Sequence, residues 1–325
     1  MNKIKLFGEG RVFGGKFFTC IALVAIIMFI FAGCGGSSGR NFTDVEKVED
    51  WLARQKGGAS PENPIPFSVS LNLQNMASPE SNWQKLLTSI NTAGLYVALD
   101  LSGSTMPDTE FNAAAGRQGK SFIVSLVLPD SAESVVDKYV AGSGLYMYFG
   151  SLKTVMAKNI DYFVGDNGPA GGIVFYDKGI FSNGWRYLEV APAETQFSAP
   201  WGAYGQNVAG TVSSIGSGKR NTELIVEHLR RTGETGRAAQ VCSELSVNGF
   251  NDWFLPSKSE LESLFLYMNL HRREGFRGNL LRGFSGWFWS SSQDGNNSAW
   301  GFLSPNGYGP SFKDNTYSVR AVRAF

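Results

Sequence analysis

Three patterns of apolar and polar positions follow one another along the chain. A continuous apolar run extends from Phe17 to Phe31, short apolar strands recur between residues 60 and 165, and glycine-bounded strands alternate with amphipathic helices from 168 to 325. A continuous run is typical of an export or membrane segment, whereas alternating and helical spacings are typical of half-buried strands and surface helices. The sequence therefore predicts a leader followed by two folded units of mixed α and β structure.

The amino-terminal run has the features of an export signal. Four basic residues precede it, and it ends at Ala32-Gly33-Cys34. A secretory signal needs a basic region, an apolar region and small residues before the cut, and a cysteine directly after the cut supplies a thiol for lipid attachment. The segment resembles a bacterial lipobox, with Phe31 where leucine is more usual. We expect residues 1–33 to be a lipoprotein signal peptide and Cys34 to be the lipidation site.

The alternative for this run is a transmembrane helix, because it is almost long enough to cross a bilayer. The glycine- and serine-rich residues 35–39 favour a cleavage site and a flexible tether instead. Both interpretations place the remaining chain outside the cytoplasm. We expect a lipid-anchored protein of the outer membrane or cell surface, with a periplasm-facing position as the alternative.

Charge and cysteine content exclude some functions. The full chain has a net charge of +1, and removal of residues 1–33, which hold four basic residues and one acidic residue, gives +1 − 4 + 1 = −2. A nearly neutral protein is not expected to bind nucleic acid. Cys20 leaves with the signal and Cys34 is acylated, so Cys242 has no partner for an internal disulfide.

Residues 34–59 are predicted to form a tether and a short helix close to the membrane. Thr43 and Glu46 have the spacing of a capping box, Val45, Val48 and Leu52 follow at helical spacing, and two glycines end the segment. Three prolines then precede a predicted first strand over 67–73.

A weak repeat occupies residues 60–165. Its apolar pairs recur at intervals of 28, 27 and 29 residues: Leu71/Leu73, Leu99/Leu101, Leu126/Leu128 and Val155/Ala157. With an apolar residue three positions before several pairs, the pattern is that of a leucine-rich repeat. Residues 122–131 resemble surface leucine-rich proteins of the BspA type, without their asparagine ladder. The alternative is an ordinary α/β module with coincidental spacing. A return helix is predicted over 81–92, closed by Gly94.

Turn-forming residues over 161–169 mark a boundary, after which six of the eight tryptophans lie. Strands are predicted at 171–176 and 184–192, and helices at 222–231 and 238–245. A third helix begins at a capping box formed by Ser257 and Glu260.

Three segments in this region are specific: Asp252-Trp-Phe-Leu-Pro-Ser257, Trp289-Ser-Ser-Ser292 and Val319-Arg-Ala-Val-Arg-Ala-Phe325. With their surroundings, residues 168–325 resemble the bacterial family named after the C-terminal domain of the Legionella collagen-like adhesin. The resemblance implies an α+β, C-type-lectin-like fold, related to that of the formylglycine-generating enzyme. It also implies binding of surface ligands, with glycans or glycosaminoglycans as the family's precedent.

The same closing segments are similar to those of proteins diversified by retroelements, in which scaffold residues stay constant while the residues between them vary. A strand that buries Trp300 and Phe302 would turn their neighbours to solvent. Aromatic rings stack on apolar faces of a ligand while amides and carboxylates orient it. The predicted ligand-binding residues are Gln293, Asp294, Asn296, Asn297, Asn306, Tyr308, Phe312, Asp314, Asn315 and Tyr317. The alternative is ordinary turn and edge-strand chemistry.

The sequence offers little for catalysis or metal binding. Cys242 is expected to be a buried small hydrophobe, and neither His228 nor His271 has a nucleophile or acid at a useful spacing. Turns at 166–168 and 294–297 hold too few carboxylates for calcium, and Asp252 belongs to a structural turn. We expect no enzyme activity, cofactor or metal.

A basic cluster is the other candidate for a ligand. Arg272, Arg273, Arg277 and Arg282 could meet an acidic glycan, or could belong to a solvated loop. Taken together, the sequence predicts a surface lipoprotein with a repeat-like spacer over 60–165 and a ligand-binding domain over 168–325. The alternatives are an enzyme of the formylglycine-generating type and a structural envelope lipoprotein.

Overall fold

A computed structural model describes residues 40–116, 118–136, 145, 148–272, 286–304 and 307–325, with the side chains of 269–272 excepted. The signal peptide, Cys34, Asn306, most of the basic cluster and the side chain of Arg272 lie outside this description. Within it, no helix is both long and apolar enough to span a bilayer.

The first unit is a parallel sheet with a small second sheet beside it. Its elements are β1 Arg40–Phe42, α1 Glu46–Leu52, β2 Ile65–Val69, α2 Asn82–Ala93, β3 Val97–Asp100, β4 Glu110–Asn112, β5 Ile123–Val127, β6 Ser134–Val136 and β7 Thr154–Met156. Five strands form one sheet in the order β1-β2-β3-β5-β7, and β4 pairs with β6. Neighbouring strands in both sheets are parallel.

The strand register follows the predicted repeat over most of its length. Leu99 lies opposite Leu126, and Leu126 lies opposite Val155, so the intervals of 27 and 29 residues are strand-to-strand steps. The first predicted step, from Leu71 to Leu99, is wrong as a strand pairing, because Phe67 and not Leu71 lies opposite Leu99. Phe67 and Leu71 are both buried, and a pattern of buried residues alone cannot distinguish the two registers. Membership of a leucine-rich-repeat family stays a prediction.

The stretch predicted as a tether contributes to this unit. Strand β1 pairs with β2, and helix α1 places Val48 and Leu52 in the same core as Phe67. The predicted capping box is absent, since α1 begins at Glu46 with no side-chain cap. Helix α2 matches its prediction: Ser81 caps its start, and Gly94 ends it in the left-handed region at φ 63°.

The second unit is α+β, as predicted. Its elements are β8 Ile173–Ser182, β9 Trp185–Val190, β10 Phe197–Pro200, α3 Gly218–Thr232, α4 Ala238–Glu244, α5 Lys258–Arg272, β11 Gly286–Gln293, β12 Ser298–Ser304, β13 Gly307–Phe312, β14 Thr316–Val319 and β15 Val322–Ala324. One sheet has the order β10-β14-β11-β12-β13 and the other has the order β15-β9-β8. Pairing is antiparallel except between β11 and β14.

The central strands β11 and β12 of the five-stranded sheet are largely buried, with packing on both faces. Helices α3 and α4 pack with Trp289 on one face, while Phe265 of α5 stacks on Phe302 on the other, with ring centroids 3.8 Å apart. The expectation that β12 buries Trp300 and Phe302 and turns their neighbours to solvent is therefore wrong: Phe302 is buried, but Trp300 is only half-buried. Gly301 and Ala299 are buried, because the sheet has no open side there.

Glu260 joins helix α5 to the loop before α3. Its carboxylate accepts hydrogen bonds from the backbone N–H of Ser257 at 2.7 Å and of Gly216 at 2.8 Å, while Ser257 Oγ accepts from Glu260 N. The predicted capping box is thus present. Burial raises the pKa of Glu260 to about 7, against the opposing effect of these donors. A Cβ at Gly218 would overlap the carboxylate, so this glycine is required.

Arg323 forms the centre of a buried ion network. Arg323 is 5 % exposed, and its guanidinium pairs with Asp252 at 2.8 Å and with Glu189 at 3.3 Å. Glu189 is fully buried and also accepts from the N–H of Gly172 at 2.7 Å. A Cβ at Gly168 would overlap this carboxylate. The network connects the last strand, the Asp252 turn and the first hairpin of the unit.

The two units are in direct contact. Arg186 of β9 pairs with Asp177 at 2.8 Å and donates to the carbonyl of Glu133, in the first unit, at 2.7 Å. Phe163 belongs to the first core and Val164 to the second, so the chain passes from one core to the next between them.

Replacing Arg323 tests the buried network. We expect Arg323→Met to lower the free energy of unfolding by about 3–5 kcal/mol, because it leaves the Glu189 carboxylate buried without its cation. Urea unfolding followed by tryptophan fluorescence measures this loss. Arg230→Met, which removes an exposed pair with Glu227, is the matched control and should leave stability unchanged. Equal stability of the two variants would contradict the assignment.

Candidate functional site

One of the ten predicted ligand-binding residues, Asn306, lies outside the described residues, and the other nine fall into two groups. Five are exposed at one end of the five-stranded sheet, Phe312 as the last residue of β13 and Asp294, Asn296, Asn297 and Asp314 in the connections between strands. The other described residues of the set take part in packing or hydrogen bonding: Gln293, Tyr308, Asn315 and Tyr317. The structure thus brings half of the predicted set together at an exposed position.

The buried Lys313 side chain connects the exposed segments through hydrogen bonds. Its side chain is 0 % exposed, and its Nζ donates to the carbonyl of Gln206 at 2.8 Å and to Gln293 Oε1 at 2.7 Å. The ammonium also lies 4.7 Å from the centre of the Trp201 ring. Burial lowers the pKa of Lys313 to about 8. Among the described residues no carboxylate forms an ion pair with it.

Backbone bonds complete this support. The carbonyl of Lys313 accepts from the N–H of Trp201 at 2.9 Å, and its own N–H donates to the carbonyl of Asn297 at 2.9 Å. Gln293 Oε1 accepts from the N–H of Val208 as well, and its Nε2 donates to Asn207 Oδ1. Gln293 is therefore a supporting residue, and its predicted role as a direct ligand contact is not favoured by its position.

Tyr204 and Phe312 form an exposed aromatic pair next to the segments that Lys313 and Gln293 connect. Phe312 is 58 % exposed and Tyr204 is 49 % exposed, and their rings meet edge to face with centroids 6.4 Å apart. Ala203, directly before Tyr204, has a left-handed backbone at φ 53°, and its N–H donates to Glu234. Such strain persists only where the surroundings hold it. We call residues 203–208, 293–297 and 312–315 the loop cluster.

Tyr317 and Asn315 belong to a second aromatic group. Trp287 stacks on Tyr317 with centroids 5.5 Å apart, and the Tyr317 hydroxyl is hydrogen-bonded to Ser311 Oγ and Asn315 Nδ2. The Trp287 ring lies over Gly309, where a Cβ would approach it to 3.2 Å. These residues are half-buried, and their polar atoms bond to one another, so they are less available to a ligand than Phe312.

Tyr308 lies on the α5 side of the sheet. Its ring packs against Phe302 with centroids 4.8 Å apart, and desolvation raises the pKa of its hydroxyl. Lys258 lies 3.6 Å above the neighbouring Trp300 ring. Because Tyr308 lies opposite Phe302 in the ladder, it shares that residue's inward face. We therefore do not place it in the loop cluster.

The three serines after Trp289 form hydrogen bonds to other segments of the domain. Ser290 Oγ donates to the carbonyl of Trp300 at 2.8 Å, Ser291 Oγ accepts from Asn221 at 3.1 Å, and Ser292 Oγ donates to the carbonyl of Val212 at 3.0 Å. All three are buried. This segment maintains the domain and does not contact the loop cluster's exposed side chains.

The residues weighed for catalysis have structural positions. Cys242 is buried in the core between α3 and α4, where burial raises the pKa of its thiol. His228 is hydrogen-bonded to Gln206 Oε1 at 2.8 Å. Asp252 pairs with Arg323, and Asp166 accepts from the N–H of Phe163. In the described ranges no group of three or more His, Cys, Asp or Glu side chains could hold a metal ion.

Sequence reasoning missed Tyr204, Lys313 and the role of Gln206. No periodic pattern identifies Tyr204, because it lies in a loop that approaches Phe312 only through the hydrogen bonds of Lys313. One signal was present: an isolated lysine between an aromatic residue and an aspartate, in a domain whose other basic residues are mostly arginines.

Comparison with known proteins supports the family resemblance over part of the chain. Residues 203–323 match the family model of the Lcl C-terminal domain. The resemblance predicted for 168–325 is therefore confirmed over that range, which includes the whole loop cluster. No curated protein matches the chain.

One solved structure is similar at a low level. A fimbrial protein from Bacteroides ovatus ATCC 8483 is 13% identical, with a TM-score of 0.34 over 63% of this chain and 52% of that chain. The chain thus spans about half the length of that protein. A TM-score of this size supports no argument about fold or function.

Removal of the buried ammonium tests the support of the loop cluster. A lysine whose pKa is lowered in the folded state loses its proton there first, so the unfolded state holds more protons between pH 8 and about 10.4. We compare the natural protein with Lys313→Met by the difference between their free energies of unfolding. We expect this difference to be lowest below pH 8. It should rise by about 2–3 kcal/mol between pH 8 and 10.4.

Urea unfolding at several pH values measures that difference. Lys47→Met, at a lysine whose side chain is 74% exposed, is the control and should show no such rise. A difference that stays constant with pH would mean that the ammonium is not desolvated.

Proposed function

We propose that this protein is a surface lipoprotein of adhesin type that binds an extracellular glycan or protein through the loop cluster. The observation that carries this proposal is the Tyr204–Phe312 pair, which exposes two aromatic rings beside amides and carboxylates. Exposed aromatic side chains on a rigid base are costly to leave in water and are typical of binding surfaces. The match of residues 203–323 to the Lcl C-terminal domain supports the same conclusion.

The proposal includes a C-type-lectin-like fold for the second unit and a spacer role for the first. Support for the fold comes from the family resemblance, and support for a repeat-like spacer comes from the in-register pairing of Leu99, Leu126 and Val155. We further propose binding and not turnover, without cofactor, metal or nucleic acid. Cys242, the only cysteine of this unit, is fully buried. Conversion of a cysteine-containing peptide by the purified protein would contradict this part.

Ligand arrays test the binding surface. We expect Phe312→Ala and Tyr204→Ala each to weaken binding of the retained ligand about tenfold or more, as for other exposed aromatic anchors. Phe181→Ala is the matched control, since Phe181 is 69% exposed on the hairpin between β8 and β9. Binding that depends on neither Phe312 nor Tyr204 would reject the loop cluster, and the absence of any ligand would favour a structural envelope protein.

The membrane anchor is tested at Cys34. We expect the natural protein to carry acyl chains on a new amino-terminal Cys34, and Cys34→Ser to be released from the membrane fraction, because two or three chains anchor stably. Mass spectrometry of the amino terminus and detergent partition measure both. An unmodified, uncleaved terminus in the cytosol would reject this localisation.

Diversification by a retroelement is part of the proposal and has a structural restriction. Exposed positions such as Asp294, Asn297, Phe312 and Asp314 can vary without disturbing the core. Gly309 is more restricted, because a Cβ there would come within 3.2 Å of the Trp287 ring, which would have to shift. Sequences of this gene segment from several isolates should therefore differ at the exposed positions and agree at 309. Equal variation throughout the domain would contradict it.

A further inference from the structure

The charge of the loop cluster is asymmetric. Its charged residues are Asp294, Lys313 and Asp314, and both aspartates are exposed while the lysine is fully buried. The Lys313 donors point at Gln206 and Gln293, inside the protein. Asp294 uses one oxygen to accept from Ser298. An approaching ligand therefore meets two carboxylates and no exposed cation of the cluster.

The aromatic pair also favours a positively charged group on the ligand. The faces of aromatic rings attract cations, and guanidinium groups stack on them. Tyr204 and Phe312 expose about half of their surface, and residue 312 is only two positions from Asp314. A group that stacks on these rings thus lies close to a carboxylate, and a positive charge gains from both.

The neighbouring helix does not reverse this balance. Gln206 contacts His228 of α3, and the adjacent Arg230 and Arg231 both pair with Glu227, at 3.0 and 3.7 Å. Their charge is thereby partly neutralised by one shared carboxylate. An acidic glycan would have to compete with Glu227 for these arginines and would approach Asp294 and Asp314 at the same time.

We infer that the loop cluster binds a basic segment of a partner protein, with an arginine or lysine side chain placed between the Tyr204–Phe312 pair and Asp314. This inference rests on the proposed function and specifies its ligand. It differs from the family's precedent of glycosaminoglycans, which are acidic. Binding of this kind weakens as salt rises, since both contributions are electrostatic.

The test uses the full-length protein and four fluorescent probes. They are an arginine-rich peptide, the same peptide with glutamine at each arginine, a heparin oligosaccharide and a neutral oligosaccharide. Fluorescence anisotropy should show binding of the arginine peptide that weakens with added salt, and at least tenfold weaker binding of the glutamine peptide. Phe312→Ala and Asp314→Asn should each weaken the arginine peptide by fivefold or more.

Two variants serve as controls. Asp130→Asn removes an exposed aspartate of the first unit, and Phe181→Ala removes an exposed ring outside the cluster; neither should alter binding. The inference would be overturned if Asp314→Asn left arginine-peptide binding unchanged, or if Asp130→Asn weakened it equally. Either result would mean that the peptide is held by unspecific charge attraction.

The remaining outcomes separate this inference from the proposed function. If the heparin or neutral oligosaccharide binds and Phe312→Ala abolishes that binding, while the arginine peptide does not bind, the loop cluster is a glycan site and only the inference fails. If no probe and no array ligand responds to Phe312→Ala or Tyr204→Ala, both fail. Heparin binding that is unaffected by both variants would place an acidic-glycan site elsewhere and would also overturn the inference.

Discussion

The buried charge of Glu189 is the constraint on which the second unit depends. A carboxylate without exposure to water is strongly destabilising unless it is paired and hydrogen-bonded, and here Arg323 and the backbone of Gly172 supply both. Arg323 comes from the last strand, so the domain is complete only when the end of the chain has returned to its first hairpin. Asp252 fixes the other side of the guanidinium and thereby the turn before α5.

The loop cluster relies on a second buried charge of opposite sign. Lys313 lies in the turn between β13 and β14 and reaches the loops that contain Gln206 and Gln293. Rigid strands with structural serines and glycines beneath adaptable exposed side chains suit a binding surface, since variation above leaves the support intact.

The two units differ in how they use repetition. In the first, the strands are parallel and contribute apolar residues to a common core, and the steps from Leu99 to Leu126 and from Leu126 to Val155 are 27 and 29 residues long. In the second, pairing is between distant segments, such as β9 with β15. Contacts such as Arg186 with the carbonyl of Glu133 join the two, so that the first unit supports the second through specific bonds as well as through the chain.

Local signals in the sequence determined the helices, the caps of α2, the capping box of α5, the family resemblance and most of the strand register. Ser81, Gly94 and the Ser257–Glu260 pair act within one turn of chain, so their effect can be recognised without the fold. Asp294, Phe312 and Asp314 were predicted as ligand-binding residues from their polar or aromatic character between the constant closing segments, and all three are exposed.

Only the tertiary structure decided which of these residues are exposed. Tyr308 and Phe312 lie four positions apart on the same face of β13 and look equivalent in sequence, yet Tyr308 packs against the core to which α5 contributes and Phe312 is exposed. Tyr204 joins Phe312 from more than a hundred residues away through the bonds of Lys313. Whether a side chain is buried depends on which distant segment packs on it, and the spacing of residues along one strand does not contain that information.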